Sequence, residues 1–517
     1  MRENEPKSVA RQTSAVFGCG CGYAVASRRI PQPRPIIYVP GKPTYWLNAT
    51  GRGIPLHSTP SAPAFKDGRG LPCYHITNPA LSPTAIEMRE AHHIAIDNLD
   101  YPVSAEYLSQ IQTLGAKIHH TSRWFNGATV ETDDSTVIQN IRALPYVGSA
   151  IMTRDETNHS GISPRKLAKQ TSSLATSTYY EQQKIYNLHP LHQLGFEGQG
   201  IRIAVCDVGF TNANRISWID SEHFLGHYDF TDDPYDIFGN TGNHGERVLS
   251  FIAGNTSSYR GAAVNAKYYL MRSEECYTES PKELDNLVAA LEKADSLGVH
   301  IFTVSLGYST FDNANWNLTY SQMDGKTTRA SRAATIAARK GMLVCAAMGN
   351  DGANSWHYLS APADADSILG VGAVTYNRAV ASFSSRGPSS DNRIKPDICA
   401  LGEAAYFIDT DGTSEDSGNG TSFATPLIAG MTACLWSALP NLTNMELRDL
   451  IIRSADHYNN PDGNFGYGIP DAMKVYQTAT NLMQSSQNDS PAHKIMRDGS
   501  IWIIVGEKEY NVLGIRH

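Results

Sequence analysis

GIRIAVCDVGF, residues 200–210, runs apolar through Ile201, Ile203, Ala204 and Val205. It then stops at a carboxylate, Asp207, followed by Val208 and Gly209. Such a run fits a strand buried on both faces, as in a parallel sheet. An acid near a glycine at a strand end can be a plain turn. In open α/β sheets, however, the carboxyl ends of the strands are where ligands and chemistry gather. What Asp207 does therefore depends on what else the chain brings to the same edge.

Outward from this stretch, residues 183–480 alternate between strand and helix patterns. IRIAVCD, AKYYLMR, HIFTVSLG, MLVCAAMGN, ILGVGAV and KPDICALG read as strands. PKELDNLVAALEKADSLG and TRASRAATIAARKG read as helices between them, and TNMELRDLIIRSA opens with a Thr443–Glu446 capping box. The order predicts an α/β domain, a parallel β-sheet with helices on both faces. Residues 88–153 predict a smaller α+β module. HHIAID reads as a strand and SAEYLSQIQTLGA as a helix capped by Ser104, with Tyr107, Leu108, Ile111 and Leu114 on one face. Two strands follow around Asn126-Gly127, then a helix in DSTVIQNIRALP and a strand in YVGSAIMT. This is the β-α-β-β-α-β, ferredoxin-like plan. Residues 154–182 are polar and have the composition of an exposed, cuttable linker. Residues 481–493 read as a second linker, and 494–517 as a short β tail of two alternating strands.

The 517 residues carry 41% hydrophobic and 18% charged side chains, as in an ordinary globular protein, and are long enough for more than one domain. A net charge of −8 gives no reason to expect a nucleic acid partner. No apolar run is long enough for a transmembrane segment. Residues 1–70 hold ten Lys/Arg against three Asp/Glu, a local +7 that leaves −15 for the remainder. With its proline-rich stretch RRIPQPRPIIYVPGKP, the head, residues 1–87, is expected to be disordered or export-related. Eight cysteines in this length do not make a disulfide scaffold. Cys206, Cys345 and Cys434 lie in apolar runs as small buried hydrophobes. Cys19 and Cys21 have no second cluster at zinc-ligand spacing.

Three further groups resemble Asp207 in their placement. His244, in GNHGERVLSFIAG, stands just before a helix-like run. Asn350 ends the buried run GMLVCAAMGN. Ser422, in GNGTSFATPLIAGMTACLWSAL, opens a helix apolar on nearly every side. Each has a bland alternative: a helix start, a positive-φ turn and an N-cap respectively. Jointly they supply acyl transfer. Ser422 is a weak nucleophile until a base takes its proton, and His244 can do so near neutral pH. Asp207 can fix the imidazole tautomer, and Asn350 can donate its amide to an oxyanion.

The order Asp, His, Ser, with GTSFATPLIAG around the serine, resembles the subtilase superfamily of serine endopeptidases. The likeness spans residues 183–480 and includes FSSRGPSSDNRIKPDICALG and GYGIPDA. It implies a subtilisin-like fold and a catalytic Asp207, His244 and Ser422, with Asn350 in the oxyanion hole. It also implies substrate binding along Ser305, Leu306 and Gly307, with Ala346, Ala347, Met348 and Gly349 as the other wall. Met348 is bulkier than expected for that wall if its side chain points inward. Two positions depart from the family pattern: Val208 stands for Ser/Thr after the acid, and Glu246 for Thr after His-Gly. A Glu246 carboxylate would favour protonated His244 if the two interact, and would do nothing if it faces solvent.

The resemblance further implies no required cofactor. Structural calcium is allowed, with metal ligands unknown. Partners are polypeptide substrates and the chain's own prodomain, residues 88–153, as an intramolecular inhibitor removed by self-cleavage between about Arg154 and Tyr180. The SRWFNGATVE stretch and the tail HKIMRDGSIWIIVGEKEYNVLGIRH resemble secreted Bacteroidota subtilases and their sorting signals, so the expected location is secreted or cell-surface. A binding protein of another class, on a protease scaffold whose activity has lapsed, is the alternative that Val208 and Glu246 motivate.

Overall fold

The computed structural model describes residues 43–49, 78–155, 179–218, 222–239, 242–488, 493–497, 500–505 and 508–511. Cys19, Cys21, most of the head and most of the 154–182 linker lie outside these ranges.

The N-terminal module comprises β1 (Thr44–Ala49), α1 (Pro83–Ala91), α2 (Ala105–Thr113), β2 (Lys117–Ser122), β3 (Gly127–Glu131), α3 (Ser135–Arg142) and β4 (Val147–Arg154). Its sheet has the order β2-β3-β1-β4, with every pair antiparallel. The first strand is β1, within the head expected to be disordered, and not HHIAID. β1 is a strand because its alternation serves two cores. Tyr45 and Leu47 pack with Ile111, Val130 and Ile141 inside the module, and Trp46 packs outward against the large domain. HHIAID has no ladder partner among the described residues. Ser82 caps α1 through the Ala85 N–H, Pro83 starts the helix, and His93 at φ 56° turns the chain away after it. At the β2–β3 turn Asn126 takes φ 46°. A side chain on Gly127 would collide with the Leu47 carbonyl oxygen.

The large domain begins with α4 (Tyr179–Lys184) and α5 (His189–Gln193), so ordered helix starts inside the stretch expected as linker. Next come β5 (Arg202–Asp207), β6 (Phe224–Asp229), α6 (His244–Ala253), β7 (Lys267–Arg272), α7 (Lys282–Leu297), β8 (Ile301–Val304), α8 (Arg329–Arg339), β9 (Leu343–Ala347), β10 (Leu369–Val374) and β11 (Ile398–Leu401). The small pair β12 (Ala405–Ile408) and β13 (Glu415–Gly418) precedes α9 (Thr421–Ala438), α10 (Asn444–Ser454) and α11 (Ala472–Asn488). α11 continues past residue 480, into the expected second linker. The tail holds three strands where two were expected, β14 (His493–Arg497), β15 (Ser500–Val505) and β16 (Lys508–Asn511), paired antiparallel.

Seven strands form one parallel sheet in the order β11-β10-β9-β8-β5-β7-β6. Buried β9 shows how the faces divide. Leu343 and Cys345 join the core under α6, α9, α10 and α11, while Val344, Ala346 and Met348 join the core under α7 and α8. Cys206, Cys345, Cys399 and Cys434 are buried free thiols, and Cys276 is buried. From β5 the chain builds outward one way through β7 and β6 and the other way through β8 to β11. The switch point, where open sheets hold their ligands, therefore lies between β5 and β8.

Candidate active site

Asp207 is the last residue of β5 and is fully buried. Its Oδ1 accepts hydrogen bonds from His244 Nδ1 at 2.8 Å and from the Val208 N–H at 2.8 Å. His244 opens α6, and Gly245 explains how the helix comes so close. A Cβ there would lie 2.7 Å from Asp207 Cβ and would strike the Gly209 carbonyl oxygen. Val208 fills the space beside Gly242, where a Cβ would lie 3.0 Å from Val208 Cγ1.

Ser422 is not the cap of α9. Gly420 holds that place, and Ser422 sits in the first turn with 7% of its surface exposed. Phe423 links it to the histidine: its ring lies 5.9 Å from the His244 ring, inclined at 25°. Phe251 and Phe407 pack on Phe423, each at 5.3 Å between centroids, and so fix α9 against α6. A Cβ on Gly420 would lie 2.7 Å from Ser422 Oγ and 3.7 Å from Asn350 Nδ2, so both groups border one small space. The orientation of the Asn350 amide follows from its partners. Its Oδ1 accepts from the Thr421 N–H at 2.8 Å and from Thr421 Oγ1 at 3.1 Å, while Thr421 Oγ1 accepts from the Gly349 N–H at 3.1 Å. Among the described residues the amide NH2 has no acceptor, which leaves it for another group. Sequence reasoning missed Thr421 and Phe423, although both sit within the motif that singled out Ser422.

Ser305, after β8, donates through Oγ to the Ser422 carbonyl at 2.8 Å. Leu306 is half-buried and Gly307 exposed. Tyr308 then pairs with Ala361 through two backbone hydrogen bonds. Gly307 has little room, since a Cβ would lie 3.0 Å from Ser360 Cβ. Gly349 takes φ 105°. Ala346, Ala347 and Met348 are buried. The Met348 side chain packs with Val344, Ala346 and Leu359 under α7 and α8 and does not obstruct the cleft.

Burial alone would lower the His244 pKa, but the Asp207 charge and hydrogen bond outweigh it and raise the value. Glu246 overturns both expectations made for it. It is wholly buried, and neither carboxyl oxygen has a hydrogen-bond partner among the described residues. Burial, with the charge of Asp409 adding and Arg247 opposing, pushes its pKa up to about 9. At neutral pH it is uncharged and exerts no carboxylate field on the imidazole.

Two clusters among the described residues have metal-ligating atoms within 4.8 Å of one another. In the first, His119 faces Glu131 through Nε2 at 3.0 Å and Asp232 through Nδ1 at 2.6 Å, while Arg154 and Lys282 also neutralise Asp232. Cations of the protein already occupy that place. The second, Glu274, Glu279 and Glu283, is buried and offers only oxygen, the donor set of a hard ion such as calcium.

The subtilase family model matches residues 198–468, and a model of the Peptidase S8 propeptide domain of Bacteroidota matches residues 64–172. The thermostable alkaline protease of Halalkalibacterium halodurans is 27% identical over 351 residues, covering 67% of this chain and 87% of that protein. Subtilisin E of Bacillus subtilis is 26% identical over 372 residues, 71% of this chain and 84% of its own. Subtilisin BL of Lederbergia lenta is 28% identical over 266 residues, 51% of this chain and 86% of its own. A catalytic-domain match over more than half the chain, preceded by a propeptide match, leads to one conclusion: this chain belongs to the subtilase family, as a serine endopeptidase with a Bacteroidota-type propeptide domain.

Proposed function

We propose that the enzyme cleaves polypeptides through an acyl-enzyme on Ser422 and is made as a zymogen that cuts its own linker. The observation that carries this reading is the Asp207–His244 hydrogen bond of 2.8 Å, with the imidazole packed on the residue that follows Ser422. Ser422 Oγ attacks the scissile carbonyl carbon while its proton passes to His244 Nε2. The imidazolium is stabilised at Nδ1 by Asp207. The carbonyl oxygen becomes an oxyanion and accepts from Asn350 Nδ2, whose loss costs about 10²–10³ in turnover in such sites. Collapse breaks the C–N bond, and His244 gives its proton to the departing amine. Water then attacks the ester by the same base and restores Ser422. The extended substrate adds as a strand along Ser305–Gly307.

The propeptide reading is supported by the course of β4. Its last residue, Arg154, pairs with Glu275 at 3.2 Å, and Asp155 accepts from Asn313 at 2.9 Å. Self-cleavage falls after these contacts, before Tyr180. The family resemblance allows a structural calcium ion, and Glu274, Glu279 and Glu283 offer an all-oxygen set that would suit one. Export to the cell surface or beyond rests on the resemblance of the motifs and tail. The lapsed-enzyme reading gains nothing, because Val208 and Glu246 are buried in packing and not aimed at the reacting groups. The test is Ser422→Ala. It should fold, lose nearly all hydrolysis of casein and stay full length where the parent is trimmed. Casein cleavage at the parent's rate would end the assignment.

A further inference from the structure

The propeptide holds the large domain over two separate areas. The first is its sheet: Trp46 and Trp124 pack into the core of α7 and α8, and Glu292 accepts from the Arg123 N–H at 3.0 Å and the Trp124 N–H at 3.3 Å. The second is a strap, residues 78–100, inserted between β1 and α2. It lies where the strands begin, at the far end of the sheet from the catalytic groups. The Ser82 N–H donates to the Ser296 carbonyl at 2.8 Å, at the end of α7. Ala85 fills the notch at Gly298, where a Cβ would lie 2.9 Å from Ala85 Cα. The His92 ring lies 5.9 Å from Trp436. Ser422 and Trp436 sit at opposite ends of α9, about 21 Å apart along its axis at 1.5 Å per residue.

A buried ion network fastens the strap. Arg89 donates to Asp100 at 2.9 Å and to Asp295 of α7 at 2.7 Å. Asp295 also receives Arg123 at 2.7 Å. Lys340, after α8, pairs with Asp97 at 2.7 Å and Asp100 at 2.8 Å. Burial opposes the charge on Asp100, but Arg89 and Lys340 outweigh it and lower its pKa. Breaking one partner from such a network strands the others in low dielectric. Among the described residues, every acid that pairs with Lys340 belongs to the propeptide, as does every cation that pairs with Asp295.

We infer that the strap is a second anchor, remote from the catalytic groups, that sets how long the propeptide stays bound after the linker is cut. This rests on the zymogen reading above. The strap, residues 78–100, is untouched by a cut between residues 155 and 179. Release must therefore wait for the ion network to open.

The test uses the full-length Ser422→Ala chain with a site for an added, sequence-specific protease placed between residues 160 and 175. After the cut, dissociation of the two pieces is followed by gel filtration and by fluorescence. In the parent background the pieces should co-elute. Lys340→Met should speed dissociation at least tenfold, about 1.4 kcal/mol. Asp97→Asn should act in the same direction, and the double variant should be no faster than the sum of the two predicts, as expected of a coupled pair. The mature catalytic domain carrying Lys340→Met with Ser422 intact should keep the parent's kcat/KM and thermal midpoint, since Lys340 then faces water. If Lys340→Met does not fold, Asp97→Asn, on the half-exposed partner, decides alone. Dissociation within twofold of the parent overturns the anchor. Because no hydrolysis by Ser422 enters the assay, that failure would leave the catalytic reading standing, whereas failure of that reading would show first as casein cleavage by the uncut Ser422→Ala chain.

Discussion

Two buried acids flank His244, and the fold treats them in opposite ways. Asp207, at the end of β5, accepts from the imidazole and from the Val208 N–H. Glu246, in the first turn of α6, is equally inaccessible and has no hydrogen-bond donor among the described residues. A buried carboxylate costs several kcal/mol unless donors replace the water it has lost. Asp207 has two such donors at Oδ1, although its Oδ2, like both Glu246 oxygens, has no hydrogen-bond partner among the described residues. Glu246 takes up a proton instead, with its pKa near 9. Closeness in sequence to the proposed base thus says little about electrostatic coupling to it; the local donors decide.

The most damaging way to break this comparison is to remove the charge that is paired. Asp207→Asn should keep the fold and lower kcat about 10⁴-fold, since an amide that donates to Nδ1 selects the wrong tautomer. The check is steady-state kinetics beside a thermal melt, and a loss under tenfold would mean that Asp207 does not orient the base.

Removing the unpaired group should act on stability, increasingly as pH rises above about 4.5. Glu246 has a folded pKa of about 9 against an ordinary 4.5, so between these values the native state binds more protons than the unfolded state. Stability from this group is full below about 4.5 and is lost as pH rises toward 9. Glu246→Gln, neutral at every pH, should therefore gain on the parent as pH rises, by several degrees in Tm at pH 9 and little at pH 5. Melts in the Ser422→Ala background avoid self-digestion, and a constant difference across pH would show that Glu246 does not titrate late.

The smallest effect concerns the base. His244 has a raised pKa, so the acid limb of kcat/KM should lie above 6.5. Glu246→Thr should leave that limb in place at low and moderate salt, because a neutral carboxyl exerts no field. A downward shift that grows at low salt would restore a charged Glu246.

Much of this was legible in the sequence. The six apolar runs chosen as strands match six of the seven in the parallel sheet, because a strand buried on both faces leaves an unbroken apolar record. The seventh, β6, escaped: on the sheet edge, FLGHYD is half-exposed and alternates weakly. The four catalytic candidates were visible as side chains at element ends, and the structure brings Asp207 to His244 and Asn350 to Ser422. Glu246 was misread because its environment is tertiary. Asp409 and Arg247 come to it through β12 and the start of α6, which no local pattern records. HHIAID and TYWLNA show the same limit. Both can alternate, and only the second finds neighbours on either side.

The position of β1 bears on how this protein can be produced in pieces. β1 sits between β3 and β4 in the propeptide sheet, yet the matched propeptide region starts at residue 64, downstream of it. A gene fragment cut to that boundary would encode a hairpin, β2–β3, and a lone β4, with two open edges where the middle strand belongs. Open edges pair with other chains. Such a fragment should precipitate or form assemblies, and it would be a poor folding assistant if supplied separately to the catalytic domain. A fragment begun ahead of Thr44 keeps the four strands together.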